Sequence, residues 1–132
     1  MSDQVTLQSS SESEKYRVRM GVRNQTFFAD EPVDQGGGDS APTPYELLTA
    51  ALAACTSITL RMYAERKGWQ TGQISVGIQL ETEKGVSKFI RSVRFEKDLP
   101  AEQRERLLAV ANACPVHKVL TGSISVETAL AV

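Results

Sequence analysis

Hydrophobic and polar residues alternate along several segments of the chain, which is the pattern of half-buried β-strands. The first such segment, from Tyr16 to Val22, is followed by a turn at Asn24-Gln25 and a strand from Thr26. Two longer segments cover about 72–83 and 87–97, and a last one runs from Ile124 to Leu130. Because tight turns join the strands within the first two pairs, we expect antiparallel pairing.

Helical signals separate these strands. Thr43 as N-cap, Pro44 at the first helical position and Glu46 three residues after the cap predict a helix that continues to Lys67. Gly68 is its natural end.

A second helix is predicted to begin after Pro100, and Pro115 separates it from a short third helix over 116–121. The predicted order is β-β-α-β-β-α-α-β, which places the chain in the α+β class.

The long helix carries no charge between Leu47 and Leu60. A helix that is apolar on every face needs to be covered on every face. One small sheet covers one side, so we predict that a second copy of the chain covers the rest and that the protein is a homodimer. The alternative is that the other helices and the loops of the same chain suffice.

Composition narrows the function. The 132 residues suit one domain, predicted over 15–132 after a polar, frayed segment 1–14. A net charge of −1 argues against a nucleic-acid binder, and no apolar run reaches the length of a membrane span. The N-terminus lacks the layout of a signal peptide, and two distant cysteines form no disulfide framework, so a reducing cytoplasm is expected.

Cys55 and Cys114 are the candidate reactive residues. Each alone is most simply a small core residue, whereas together they suggest a redox pair. Cys114 precedes the third helix, where free amides stabilise a thiolate, while Cys55 has apolar neighbours and needs a cation from elsewhere in the fold.

The other polar candidates are weaker. With Cys114, His117 forms a Cys-x-x-His spacing, but the chain has too few soft ligands for a structural zinc site. Catalysis by a Cys–His pair stays open, and a capping or core role for His117 is the simpler interpretation. Arg17, Arg19 and Arg23 share one face of the first strand, which is most simply a solvated face.

Two segments resemble the OsmC/Ohr family of osmotically inducible and organic-hydroperoxide-resistance proteins. Residues 42–48 (PTPYELL) with Ala53-Ala54-Cys55-Thr56 resemble the family's cysteine helix, and residues 114–120 (CPVHKVL) resemble its second-cysteine motif. The resemblance covers about residues 15–131. It implies an intertwined homodimer, with active sites at the subunit interface, that reduces organic hydroperoxides or hydrogen peroxide without a cofactor.

The resemblance also implies roles. Cys55 corresponds to the peroxidatic cysteine and Cys114 to the resolving cysteine, with a dithiol reductant such as a lipoylated protein. Arg23, in residues 21–25 (GVRNQ), is the best match to the activating arginine, although Val22 and Gln25 replace glycines of the family's segment and Asn24 replaces its acid. Glu46 is the nearest match to the carboxylate that holds this arginine, but it stands nine residues before Cys55 instead of ten. These departures place the chain in a divergent OsmC-like subgroup.

Two other functions stay open. The fold could serve as a non-catalytic module that binds a small molecule in an apolar cleft. It could also act as a redox sensor that signals through a disulfide.

Overall fold

The structure is a computed structural model that describes residues 4–131. The chain divides into two compact units, one ending at Leu48 and the other beginning at Thr49. The prediction of a single domain over 15–132 stays a prediction. Residues 1–3 of the segment predicted to be frayed, and residue 132, lie outside the described residues.

An antiparallel sheet with the strand order β1-β2-β3 forms the first unit. Its strands are β1 (Gln8–Ser11), β2 (Val18–Val22) and β3 (Gln25–Ala29). The β2–β3 turn falls on Arg23 and Asn24, one residue earlier than predicted.

Asp30 anchors the loop that follows β3. Its side chain is almost fully buried and accepts hydrogen bonds from the hydroxyl and the backbone N–H of Ser40 at 2.6 and 3.1 Å, and from the N–H of Glu31 at 2.8 Å. The hydrogen bond from the Ser40 hydroxyl, with these amides, holds the pKa of Asp30 below its ordinary value. The loop is therefore tied at both ends, and it contains a short 3-10 helix at Val33–Gln35.

Helix α1 (Pro44–Lys67) has the predicted bounds. The Thr43 hydroxyl accepts from the N–H of Glu46 at 3.1 Å, and the Glu46 carboxylate accepts from the N–H of Thr43 at 2.9 Å, so the capping box is confirmed. Gly68 follows at φ 71°, a left-handed conformation that glycine adopts without strain.

The second unit contains a two-stranded antiparallel sheet and two further helices. The elements are β4 (Ile74–Glu83), β5 (Val86–Phe95), α2 (Ala101–Ala111) and α3 (Pro115–Thr121). The α+β class is confirmed. The core of this unit consists of Leu60 of α1, Leu107 and Ala111 of α2, and Leu99. Residues of the sheet pack against it: Ile74, Val93 and Phe95.

Two predictions about the chain ends were wrong. The structure forms β1 inside the segment predicted to be frayed, because Gln8–Ser11 pairs with β2 through backbone groups that need no apolar side chain. Conversely, residues 123–131 form no strand among the described residues, although Ile124 to Leu130 alternate. This segment pairs with no strand among the described residues, and Val126 and Leu130 are 84% and 98% exposed.

Leu107 tests the core. Replacing this fully buried residue with alanine should lower the free energy of unfolding by about 2–5 kcal/mol, because it leaves a cavity. The matched control is Leu108→Ala at a position that is 55% exposed, where we expect less than about 1 kcal/mol. Urea denaturation measures both, and equal losses would contradict this core.

Candidate thiol site

The start of α3 brings the two predicted cysteines together. The N–H of Val116 donates to Cys55 Sγ at 3.5 Å, and the N–H of His117 donates to Cys114 Sγ at 3.3 Å. Since consecutive backbone nitrogens lie about 3 Å apart, the two sulfur atoms are at most about 10 Å apart. Both thiols are free, although 58 residues separate them along the sequence.

The two thiols differ in exposure. Cys114 is fully buried at the N-cap of α3, whereas Cys55 is partly exposed. Cys55 is therefore the more accessible of the two residues, while a solute reaches Cys114 only if the structure opens.

Thr56 sets the hydrogen-bonding role of Cys114. The fully buried Thr56 hydroxyl donates its only proton to the carbonyl of Leu52 at 2.7 Å and accepts from Arg91 Nη1 at 3.0 Å. It also lies 3.9 Å from Cys114 Sγ. Because the hydroxyl proton points to the carbonyl of Leu52, the thiol of Cys114 is the available donor in this contact.

Arg91, which the sequence analysis did not select, lies beside this pair. Its guanidinium donates to Thr56 Oγ1, to Asn112 Oδ1 at 3.0 Å and to His117 Nδ1 at 3.1 Å. These three partners are neutral. The signal was in the sequence: on β5, Arg91 occupies the same inward register as the partly buried Phe89 and Val93, where an apolar residue is expected.

His117 acts as an acceptor. Because arginine can only donate, His117 Nδ1 must carry a lone pair, which puts the ring proton on Nε2. Across residues 4–131, no group of three or more His, Cys, Asp or Glu side chains is placed to hold a metal ion.

A cleft of about 320 Å³ adjoins the thiol site and includes Arg91 and His117 in its lining. Its other walls are formed by Leu52, Ser87, Lys88, Phe89, Leu120 and Thr121. A larger cleft of about 690 Å³, lined by Tyr63 and Trp69 among others, contains no cysteine. Neither cleft is lined by a cysteine, but the smaller one is lined by His117, whose N–H donates to Cys114 Sγ, and by Arg91, which donates to Thr56 beside Cys55.

Arg23 and Glu46 belong to the unit that ends at Leu48, whereas both cysteines belong to the second unit. Arg23 is exposed in the β2–β3 turn at φ 53°, and Glu46 caps α1. Their roles in activating Cys55 stay predictions.

The profile of the OsmC-like protein family matches residues 36–129. The chain belongs to this family. The matched range contains both cysteines and the whole of α1, β4, β5, α2 and α3. No curated protein matches the sequence.

Solved structures share the fold. A proposed osmotic stress induced and detoxification response protein from Psychrobacter arcticus is 18% identical, with a TM-score of 0.77 and 90% of each chain covered. The OsmC-like protein of Mycoplasma pneumoniae is 14% identical, with a TM-score of 0.74 and coverage of 92% of this chain and 90% of that one. The organic hydroperoxide resistance protein OhrB of Bacillus subtilis is 19% identical, with a TM-score of 0.62 and coverage of 91% and 92%.

Helix α1 is long and apolar enough to be compared with a membrane span. Its length and its mean hydropathy of 1.4 over 18 residues would suit a membrane span, but the core helix of a soluble protein passes the same test. In this structure, α1 contributes Leu60 to the core of the second unit.

Exposure predicts which cysteine reacts first. In the native protein, iodoacetamide should alkylate Cys55 at least about tenfold faster than Cys114, because only Cys55 is accessible. In denaturant the two rates should converge. Peptide mass spectrometry measures both sites, with Cys55→Ser and Cys114→Ser as controls, and faster labelling of Cys114 in the native protein would contradict the assignment.

Proposed function

We propose that this protein is a thiol peroxidase in which Cys55 reacts with the peroxide and Cys114 resolves the product. The observation that carries this proposal is the pairing of a partly exposed thiol with a fully buried one at the start of α3. A peroxide reacts with the sulfur of Cys55, and the sulfur of Cys114 lies close enough to react with the product.

The reaction proceeds in two balanced steps. In the first, the Cys55 thiolate attacks the O–O bond of a hydroperoxide: an S–O bond forms, the O–O bond breaks, and the released alkoxide takes a proton to become an alcohol. The sulfur is oxidised by two electrons to a sulfenic acid. In the second, Cys114 attacks this sulfur: an S–S bond forms, the S–O bond breaks, and water leaves with the proton of the Cys114 thiol. A dithiol then reduces the disulfide.

The fold relatives support the substrate class. OhrB of Bacillus subtilis is named for organic hydroperoxide resistance. We therefore propose organic hydroperoxides or hydrogen peroxide as substrates, defence against oxidative stress as the role and the cytoplasm as the location. Sulfur carries all the redox chemistry in this scheme, so no cofactor is required, and a lipoylated protein is the proposed reductant.

Arg23 and Glu46 complete the proposal. A guanidinium beside Cys55 would stabilise its thiolate, and a carboxylate would hold that guanidinium in place. We assign these roles to Arg23 and Glu46 on their resemblance to the family's motifs.

Substitution of each cysteine separates the two steps. Cys55→Ser should abolish hydroperoxide consumption, because the attacking sulfur is gone. Cys114→Ser should consume about one equivalent to form the sulfenic acid and a second, more slowly, as this is oxidised to sulfinic acid at Cys55, because no thiol captures the sulfenic acid. Peroxide consumption and intact-protein mass spectrometry measure these outcomes, and turnover by Cys55→Ser at the parental rate would refute the assignment.

A non-catalytic binding function is the second candidate, and the cleft of about 320 Å³ favours it. The same experiment separates the two. A wild-type protein that forms no disulfide after one equivalent of organic hydroperoxide would point to the binding module.

We also propose that the protein is a homodimer. The buried stripe of α1 is Leu52, Thr56, Leu60 and Ala64. A second stripe on the same helix is exposed although it is apolar, and consists of Ala51, Ala54, Ile58 and Met62. Ile58 and Met62 are 55% and 60% exposed, a large apolar area to leave in water. A second copy of this chain would cover it.

The oligomeric state tests this interface. Sedimentation should give twice the 14.4 kDa chain mass. Ile58→Glu should shift the protein toward monomer, because it places a charge on the exposed apolar stripe. Ser75→Glu adds the same charge at an exposed position of β4 and should leave the dimer intact. A wild-type monomer at micromolar concentration would refute the proposal.

A further inference from the structure

Arg91 joins the two segments that carry the cysteines. One end of its guanidinium bonds to Thr56, the residue after Cys55 on α1. The other end bonds to Asn112 and His117, which lie two residues before and three residues after Cys114. One side chain on β5 therefore spans α1 and the turn into α3.

This link is geometrically specific. A guanidinium is planar and carries its donors in a fixed fork, so its acceptors must keep a fixed arrangement. Arg91 is also partly buried on the inward register of β5, opposite Ile78 of β4. A buried charge that loses its acceptors is costly, which opposes separation of the two segments.

None of the hydrogen bonds of Arg91 goes to sulfur. Arg91 therefore acts on the thiols through Thr56, Asn112 and His117. Closing a disulfide requires the two Cα atoms to lie within about 4.4–6.8 Å, so the spacing of α1 and the Cys114 segment controls the reaction.

We infer that Arg91 is a positioning residue that holds Cys114 at the distance from Cys55 needed for disulfide closure. The inference rests on the proposed function for its biological meaning. The spacing itself can be measured without a peroxide, because any mild oxidant that closes the disulfide reports on it.

Exchange with glutathione provides that measurement. Glutathione disulfide oxidises the two protein thiols: first one thiolate forms a mixed disulfide and releases one glutathione. Then the second cysteine forms the S–S bond and displaces the other glutathione, and the two protons of the protein thiols end on the two released glutathione thiols. The equilibrium constant is the effective concentration of one thiol near the other.

The experiment compares Arg91→Met with Arg94→Met in glutathione redox buffers, with mass spectrometry as the readout. Arg94 lies on the same strand in the exposed, outward register, which makes it a matched control. Arg91→Met should lower the effective concentration at least about tenfold, and Arg94→Met should change it less than about twofold. Arg91→Lys should stay well below wild type, because one ammonium group cannot reproduce the fork.

A second readout excludes a general structural loss. In a Cys114→Ser background, the rate of alkylation of Cys55 should change less than about twofold on Arg91→Met, because Arg91 touches neither sulfur. An equal fall in both readouts, or a wild-type effective concentration in Arg91→Met, would overturn the inference.

Asn112→Ala covers the case in which Arg91→Met fails to fold. It removes one acceptor at an exposed position and should lower the effective concentration by about threefold, whereas an unchanged value would overturn the inference. Failure of the wild-type protein to consume hydroperoxide would refute the proposed function alone, since the glutathione equilibrium does not depend on it.

Discussion

The thiol site depends on which residues of α1 face the core and which lie at the edge of its buried face. Residues at intervals of four form its buried stripe, and Thr56 is one of them. Cys55 precedes Thr56 by one residue, which rotates it by about 100° toward the edge of that stripe. This rotation leaves its sulfur partly exposed while its neighbour is fully buried. The partial exposure of Cys55 follows from this single step along α1, whereas Cys114 is buried at the N-cap of α3.

Thr56 connects three parts of the structure through its side-chain hydroxyl. Its hydroxyl is saturated by a carbonyl, a guanidinium and a thiol, so every polar atom at this buried point has a defined role. A hydroxyl with one proton and several neighbours fixes the direction of each bond. These hydrogen bonds link α1 to β5 and to the turn before α3. They explain how two cysteines that are distant in the sequence are held near each other.

The elements with strong local signals were predictable. The capping residues and Gly68 fixed both ends of α1, and the β4–β5 hairpin followed from its alternation. Strand pairing could not be predicted from the local pattern in two places. The polar residues of β1 pair with β2, whereas residues 123–131 alternate between apolar and polar but pair with no strand among the described residues. The sequence analysis did not select Arg91 as a site residue because a single arginine on a strand is usually solvated. Only the three-dimensional fold shows which groups accept its hydrogen bonds. The approach of the two sulfurs is likewise a tertiary property.

The proline at the start of α3 has a consequence for the oxidised protein. Pro115 has no N–H, so the first amides available there are those of Val116 and His117, and each faces a sulfur atom. Each sulfur must turn toward its partner to form an S–S bond. Oxidation would therefore reorient both acceptors that face the amides of Val116 and His117, which couples disulfide formation to the hydrogen bonding of the first turn of α3.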